Sequence, residues 1–186
     1  MKTTQTSLNG VLLIEPKRFG DARGFFAETY SARRYADAGI PMAFVQDNHS
    51  LSAQVGTVRG LHFQAPPHAQ DKLVRCGRGA IFDVAVDIRV GSPSFGKWVG
   101  FELSDENGAQ LFVPAGFAHG FATLKPDSEI IYKCSEYYAP ETEGAVRWDD
   151  PAIGVEWPLS GPPILSGKDA DAPLLAELES PFTWKG

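Results

Sequence analysis

The chain of 186 residues contains only two cysteines, Cys76 and Cys134, far apart and outside any C-x-x-C pattern. Such sparse cysteine argues against a disulfide framework and against a zinc site, so we expect two buried free thiols. No apolar run approaches the roughly 20 residues that a membrane-crossing helix needs. The N-terminus also lacks the charged and then apolar pattern of a secretory signal. We therefore expect a cytoplasmic protein with no membrane partner.

The chain also has fewer basic than acidic residues. It contains 17 Lys and Arg residues and 23 Asp and Glu residues, which gives a formal net charge of −6. A protein that binds nucleic acid without sequence preference needs a basic surface, because binding depends on displacing counterions from the phosphates. The balance of charge therefore predicts no nucleic-acid partner. It still allows a few cationic side chains gathered in a cleft around one small anion.

Turn-forming residues are abundant, with 19 glycines and 14 prolines spread evenly along the chain and no linker or repeat. Short runs rich in Val, Ile and Phe lie between them at intervals of about ten residues. This spacing is typical of the short strands of a sandwich or barrel, and a chain of this length builds one sizeable core. We predict a single all-β domain over residues 1–186 with short peripheral helices.

The N-terminal runs Val11–Ile14 and Phe25–Tyr30 are predicted to pair with each other as strands. Six further strands are predicted at Lys72–Cys76, Ala80–Arg89, Lys97–Leu103, Gln110–Val113, Phe121–Leu124 and Ser128–Glu136. Two short helices are predicted at Ser31–Ala38, with Ser31 as N-cap and Gly39 as the stop, and at Ala172–Leu178.

The run Ala80–Arg89 alternates large apolar side chains with a second set that contains Asp83. A period of two residues places the two sets on opposite faces of a sheet. If the second face lines a barrel interior, Asp83 points into a polar cavity. If that face meets solvent, Asp83 is an ordinary surface residue.

Two segments combine a histidine with regularly placed glycines. The first contains Gly56 and His62, and the second is Gly108, five residues, and then a Pro-x-Gly-x-x-His sequence that ends at His119. Together they resemble the two signature motifs of the cupin superfamily, whose fold is a jelly-roll β-barrel. The second motif matches closely, whereas the first matches at Gly56 and His62 and then departs.

The departure removes the ligands that a metal-binding cupin would use. Gln64 holds the place of the second histidine, and Lys72 falls near the place of the glutamate. A cation does not ligate a divalent metal, and an amide is a poor substitute for imidazole. His62 and His119 alone are an incomplete set, so we predict no catalytic metal and acid–base chemistry in the same pocket.

Without a metal or cofactor, a histidine can take a proton only from a carbon that is already acidic, such as one next to a ketone. The enolate that forms needs a fixed positive partner, which Lys72 or Arg59 could supply. Inversion of the carbon needs a second proton carrier on the opposite face, for which Tyr132 is the candidate. Asp169 is placed in this hypothesis to orient His62 and favour its protonated form.

The chain closely resembles the dTDP-4-dehydrorhamnose 3,5-epimerases of deoxysugar biosynthesis. Matching pieces follow one another in order along nearly the whole chain. They are Phe19–Glu28, Gln46–Asn48, Arg59–Gln64, Lys72–Cys76, Phe82–Val84, Pro114–Phe121, Tyr132–Cys134, Tyr137–Pro140, Glu141–Gly144, Arg147–Pro151 and Ser166–Asp169.

The resemblance implies roles for individual residues. It implies that His62 is the base at C3 and C5 of a 4-ketosugar, with Asp169 as its partner. It implies that Tyr132 is the acid on the other face and that Lys72 faces the C4 oxygen. The implied contacts to sugar, diphosphate and nucleotide are Arg23, Phe26, Glu28, Gln46, Asn48, Arg59, His119, Tyr138, Glu143 and Lys168.

The resemblance also implies a dTDP-4-keto-6-deoxyhexose substrate, no cofactor, and a homodimer formed through the N-terminal strands. Two assignments stay open within it. Tyr137 competes with Tyr138 for stacking on thymine, since neighbouring strand residues face opposite ways. Asp83 could brace either His62 or Lys72.

The expected reaction is conversion of dTDP-4-dehydro-6-deoxy-D-glucose to dTDP-4-dehydro-L-rhamnose. Three alternatives remain. One is an epimerase that inverts only C3 or only C5 in an antibiotic-sugar pathway. The others are a metal-dependent cupin oxygenase or isomerase, against which Gln64 and Lys72 argue, and a sugar-binding cupin without activity.

Overall fold

The computed structural model describes residues 1–186 as thirteen β-strands and two short α-helices, with 3-10 turns at Pro140–Thr142 and Leu175–Glu177. The strands are β1 Lys2–Gln5, β2 Leu12–Glu15, β3 Arg18–Asp21, β4 Gly24–Ala27, β5 Gln46–Ser52, β6 Val58–Gln64, β7 Lys72–Arg78, β8 Ala80–Asp87, β9 Trp98–Ser104, β10 Gln110–Val113, β11 Phe117–Thr123, β12 Ser128–Cys134 and β13 Glu143–Ala145. The helices are α1 Ala32–Asp37 and α2 Gly167–Ala170. Neither helix has the length and apolar character needed to cross a membrane.

Two antiparallel sheets form the body of the molecule. One has six strands in the order β1-β2-β10-β7-β12-β5, and the other has five in the order β13-β6-β11-β8-β9. Apolar side chains from both sheets, such as Val74 and Ile130 on one and Ala85 and Phe121 on the other, pack into a single cluster between them. This arrangement confirms the predicted all-β, cupin-type jelly-roll barrel.

The outer faces of both sheets are covered as well. Val84 and Val86 on the outer side of the five-stranded sheet pack against Ile153 and Leu175 of the C-terminal segment. On the six-stranded sheet, Leu12 and Ile14 pack against Tyr35 of α1 and against Ile40. Burial on both sides explains why strands such as β8 and β10 carry apolar side chains on both faces.

The alternation along β8 follows the prediction. Val84 belongs to the outer cluster and Ala85 to the interior one, so Asp83 projects inward and is fully buried. The two cysteines, Cys76 and Cys134, are buried free thiols, as expected.

The predicted pairing of the two N-terminal runs is wrong. Strand β2 pairs with β1 and β10, whereas β4 pairs with β3 in a separate hairpin. The loop of that hairpin has two residues, and the Asp21 carboxylate accepts the backbone N–H of Arg23 within it. A turn this tight pairs each strand with its immediate neighbour in sequence.

The first predicted helix is confirmed, with Ser31 as N-cap and Gly39 at φ +92° just beyond its end. The second predicted helix, at Ala172–Leu178, is not an α-helix in the structure, which has only a 3-10 turn at Leu175–Glu177 there. Its start precedes Pro173, and the residue before a proline avoids helical conformation. Helix α2, which the sequence did not predict, lies immediately upstream and begins at the N-cap Ser166.

A buried ion pair holds the turn that follows β8. The Asp87 side chain has no exposed surface, and it accepts hydrogen bonds from the Arg89 guanidinium, Ser92 and Ser94. Burial raises the pKa of Asp87, but these hydrogen bonds outweigh burial and leave the pKa below its ordinary 3.8. The guanidinium of Arg89 also lies over the rings of Phe117 and Trp184, which joins this turn to the C-terminal segment.

Replacing Asp87→Asn should lower the free energy of unfolding by about 3 kcal/mol at pH 7, because it leaves the buried Arg89 without its counterion. A carboxylate with a depressed pKa contributes stability above its unfolded pKa and loses it as the pH falls. The difference between the variant and the parent should therefore shrink below about pH 4. Urea unfolding across this range measures both effects.

The exposed Asp149, paired with Arg147, is the control, and Asp149→Asn should change stability by less than about 0.5 kcal/mol. Equal effects of the two substitutions would contradict this reading.

Candidate active site

The predicted base and acid come from facing sheets. His62 lies on β6 of the five-stranded sheet, whereas Lys72 and Tyr132 lie on the adjacent strands β7 and β12 of the six-stranded sheet. Lys72 stands opposite Cys134, two residues beyond Tyr132, so Lys72 and Tyr132 project from the same face. Tyr132 packs against the interior cluster, which identifies that face as the inner one.

A β-bulge in β6 places two site residues on one face. His62 stands opposite His119 and Arg59 opposite Phe121, so three steps along β6 match two steps along β11. Strict alternation would point Arg59 and His62 to opposite faces, and the extra residue corrects this. Gly60 permits the close approach of the two strands, since a Cβ atom there would lie 2.5 Å from the Cα of Gly120.

His62 is held by a carboxylate from the C-terminal segment. Its Nε2 lies 2.6 Å from Oδ1 of Asp169, and the Ser166 hydroxyl donates to Oδ2 of the same residue at 2.7 Å. Burial raises the pKa of Asp169, but the hydrogen bonds from His62 and Ser166 outweigh it, and the pKa is lowered. An ionised Asp169 accepts the Nε2–H of His62. Nδ1, which has no partner in the chain, is then the nitrogen that can take up a proton.

Lys72 is a cation inside the barrel with no ion-pair partner in the chain. Burial lowers the pKa of Lys72, and the neighbouring Cys134, Asp83 and Glu143 act in the opposite direction. An ammonium in such a place attracts any negative oxygen that forms nearby, because the low dielectric strengthens the interaction.

Tyr132 is suited to donate a proton. Burial raises the pKa of its phenol, while the neighbouring Asn48 and Arg59 oppose the shift. A tyrosine is protonated at neutral pH even at its ordinary pKa of 10, and the rise leaves Tyr132 in that form. Asn48 stands directly across from Tyr132 on β5.

Asp83 pairs with His119 rather than with His62. Its Oδ1 lies 2.9 Å from His119 Nε2, and both side chains are buried. The other oxygen, Oδ2, is the single buried side-chain polar atom of the chain without a hydrogen-bond partner. The negative charge of Asp83 also favours the charged form of Lys72, so the structure links Asp83 to two of the predicted site residues.

Polar side chains form a connected rim around the interior. Gln46 donates to Asn48 at 3.1 Å and accepts the backbone N–H of Tyr138 at 3.0 Å. The Tyr138 hydroxyl donates to Glu143 at 3.0 Å, and Lys168 pairs with the other oxygen of Glu143 at 2.5 Å. Burial raises the pKa of Glu143, but the bonds from Lys168 and Tyr138 outweigh it and leave the pKa lowered.

Strand β6 and the segment that contains α2 border an open cavity of about 370 Å³. It is lined by Arg59, His62, Lys168, Asp169 and the segment 164–166. Arg59 also donates a hydrogen bond to Ser52 on β5, at the edge of the opposing sheet. The cavity is open to the solvent and has His62, the predicted base, in its lining.

Three predicted substrate contacts lie elsewhere. Arg23 pairs with Asp21 at the tip of the β3–β4 hairpin, and Glu28 pairs with Arg34. Phe26 is 70% exposed on the same hairpin. Within one chain, the structure does not bring these three residues to the cavity at His62.

Comparison with known proteins decides the family. The family model described as dTDP-4-dehydrorhamnose 3,5-epimerase matches residues 5–177. The chain belongs to this family. It is an isomerase of the epimerase type.

Relatives and solved structures agree with this assignment. A Sinorhizobium fredii dTDP-4-dehydrorhamnose 3,5-epimerase is 57% identical over 178 residues, which covers 96% of this chain and 91% of the relative. The Legionella pneumophila dTDP-6-deoxy-D-glucose-3,5-epimerase, solved in complex with dTDP-4-keto-L-rhamnose, superimposes with a TM-score of 0.95 at 45% identity, covering 100% of this chain and 99% of that one. A Streptomyces niveus dTDP-4-dehydrorhamnose 3-epimerase is 42% identical, covering 95% of this chain and 85% of the relative.

The epimerase has no group of three or more His, Cys, Asp or Glu side chains placed to hold a metal ion. The two histidines of the cupin motifs are each engaged by a carboxylate, His62 by Asp169 and His119 by Asp83. The expectation that the enzyme needs no metal stays a prediction, which metal analysis of the purified protein would test.

Sequence reasoning missed two residues that support the site. The Ser166 hydroxyl caps α2 through the backbone N–H of Asp169 and also donates to its carboxylate. The signal was present, because a serine three residues before an acidic residue is typical of a helix N-terminus. Gln64 was noted only as a missing metal ligand, yet it is buried and fully hydrogen-bonded.

Proposed function

We propose that this epimerase inverts C3 and C5 of dTDP-4-dehydro-6-deoxy-D-glucose and yields dTDP-4-dehydro-L-rhamnose for dTDP-rhamnose biosynthesis. The observation that carries the proposal is the placement of His62, with its Asp169 partner, on one sheet and of Lys72 and Tyr132 on the facing sheet. A base and an acid that face each other across one interior can act on opposite faces of the same ring.

The chemistry follows from these positions. His62 Nδ1 takes the proton from the carbon, and the electron pair of that C–H bond moves toward C4 as the carbonyl oxygen becomes an enolate. The Lys72 ammonium balances the charge on that oxygen, and the Asp169 carboxylate stabilises the protonated His62. Tyr132 then donates its proton to the opposite face of the carbon, and solvent restores both groups before the second carbon reacts.

Each step moves only a proton between the sugar and a side chain, so the proposal requires neither a metal ion nor a redox cofactor. Gln46, Asn48, Glu143 and Lys168 of the rim, together with Arg59 and His119, are proposed to bind the sugar and diphosphate. Tyr138 is favoured over Tyr137 as the ring that stacks on thymine. Its hydroxyl and backbone N–H both bond to rim residues, whereas the Tyr137 side chain has no hydrogen bond. The cytoplasmic location expected from the sequence stays a prediction.

Deuterium exchange in D₂O tests the reaction. The parent enzyme should introduce deuterium at both C3 and C5 of the ketosugar, as NMR of the recovered sugar nucleotide would show. His62→Asn should slow exchange by about 10³-fold, because it removes the base. Tyr132→Phe should slow inversion more than exchange, since proton removal still has its base.

The control is His49→Asn, because His49 lies on β5 and pairs with the partly exposed Glu129, outside the described site. Its exchange should equal that of the parent. Full exchange in His62→Asn would show that the base is wrongly assigned. Deuterium at one carbon only would favour a single epimerase, the alternative represented by the 3-epimerase relative at 42% identity.

We also propose that the enzyme is a homodimer in which the β3–β4 hairpin of one copy reaches the cavity of the other. Arg23 pairs only with Asp21 of the same hairpin and Glu28 only with Arg34 of α1, and neither contacts a rim residue of its own chain. The hairpin also exposes Phe19, Phe25 and Phe26 by 54 to 70%, and exposed aromatic side chains in such a group are typical of an interface.

Complementation between two inactive variants tests the shared site. A co-expressed mixture of Arg23→Ala and His62→Asn should regain activity at low substrate concentration, because a mixed dimer contains one site with His62 from one copy and Arg23 from the other. A mixture of His62→Asn and Tyr132→Phe should regain none, since both residues come from the same chain. Light scattering should give about twice the chain mass of 20.2 kDa. A monomer, or no gain in the first mixture, would contradict the proposal.

A further inference from the structure

Gln64 occupies the place where metal-binding cupins carry a second histidine, and here its amide has a different use. It lies at the end of β6, two residues beyond His62, and is 4% exposed. Its Nε2 donates to the backbone carbonyls of Tyr137 and His68, and its Oε1 accepts the backbone N–H of Ala139 at 3.0 Å. Both donor hydrogens and the acceptor oxygen of the amide are therefore engaged.

These bonds converge on the segment that carries Tyr138. Side chains from two barrel strands hold the backbone of residues 137–139, with two bonds from Gln64 on β6 and one from Gln46 on β5. The Tyr138 ring is 57% exposed, and its hydroxyl bonds to Glu143. The position of an exposed ring depends on its backbone, and Gln64 supplies most of the connection between that backbone and the barrel.

We infer that Gln64 is a positioning residue that sets the place of the Tyr138 ring relative to His62 and thereby determines affinity for the nucleotide part of the substrate. This inference rests on the proposed function. Gln64 and His62 belong to one strand and lie two residues apart, roughly 7 Å along the chain. One rigid strand thus holds both the base that acts on the sugar and the support for the ring that stacks on the nucleobase.

The substitution Gln64→Glu isolates this role. It keeps the shape and the acceptor for Ala139 but replaces the two donor hydrogens with a carboxylate oxygen that faces two carbonyls. Repulsion between these oxygens should displace the segment that carries Tyr138. Neither His62 nor Asp169 has a hydrogen bond to Gln64, so the base keeps its own partner.

Binding of dTDP and steady-state kinetics measure the effect. Gln64→Glu should weaken dTDP binding about tenfold, and KM should rise by a similar factor while kcat changes by less than threefold. The matched control is Gln70→Glu, because Gln70 donates to the backbone carbonyl of Glu136 in the adjacent part of the same loop. That variant should bind dTDP within twofold of the parent. A kcat loss that exceeds the rise in KM would overturn the inference.

A double substitution shows whether Gln64 acts through Tyr138. In a Tyr138→Ala background, Gln64→Glu should change dTDP affinity by less than twofold, because the ring that it positions is gone. A tenfold loss that persists there would show a general structural effect and overturn the inference. If Gln64→Glu fails to fold, as thermal unfolding would show, Gln64→Met removes the same bonds without adding charge and is measured in its place.

The proposed function and this inference can fail separately. A parent enzyme that neither binds dTDP nor exchanges deuterium into the ketosugar would refute the proposed function and this inference with it. A parent that does both, together with a folded Gln64→Glu or Gln64→Met variant that binds dTDP as tightly, would refute the role of Gln64 alone.

Discussion

The separation of two packed β-sheets governs what this enzyme can do. Facing sheets lie about 10 Å apart, a gap that side chains normally fill. Here apolar residues from both sheets fill much of the gap, and the proposed catalytic residues come from its two sides, His62 from one sheet and Lys72 and Tyr132 from the other. Groups that invert a carbon must approach it from opposite sides. Two packed sheets present side chains from opposite sides of the space between them. In the proposed mechanism, the spacing that stabilises the barrel core therefore also serves catalysis.

Charged groups in such a gap are costly unless they have partners, and the structure supplies a partner for nearly every one. The Asp169 carboxylate contacts His62 and accepts a hydrogen bond from Ser166. The Glu143 carboxylate pairs with Lys168 and accepts a hydrogen bond from Tyr138. The exceptions are the Lys72 ammonium and one oxygen of Asp83. An unpaired cation with a nearby buried carboxylate is suited to an oxygen that becomes negative only during the reaction, because interactions that strengthen in the transition state accelerate the chemistry.

Sequence patterns predicted the parts of the fold where local rules apply. The alternation along β8 separated its two faces correctly but left open which of them, with Asp83, is the inner one, and the Ser31 and Gly39 signals bounded α1. The same patterns did not predict the strands that carry site residues and depart from regular alternation. Strand β5, which carries Gln46 and Asn48, lies at the edge of its sheet and is polar on both faces, so it lacks the apolar alternation that marks a strand. Strand β6 contains a bulge that no period of two describes.

The pairing of Asp83 with His119 depends on the register of β8 and β11, which alternation along one strand does not specify. The resemblance to the family named His62, Asp169, Lys72 and Tyr132 as candidates, which stay predictions, but it did not show that Gln64 holds the segment of Tyr138 by hydrogen bonds.

The most direct test of this account is a crystal structure of the enzyme with dTDP-6-deoxy-D-glucose, which lacks the 4-ketone and cannot react. The account predicts a hexose ring between the two sheets, with His62 and the Tyr132 hydroxyl on opposite faces, each about 3.5 Å from the ring carbons that react. A hexose bound outside the barrel interior, or His62 and Tyr132 on the same face of the ring, would contradict it.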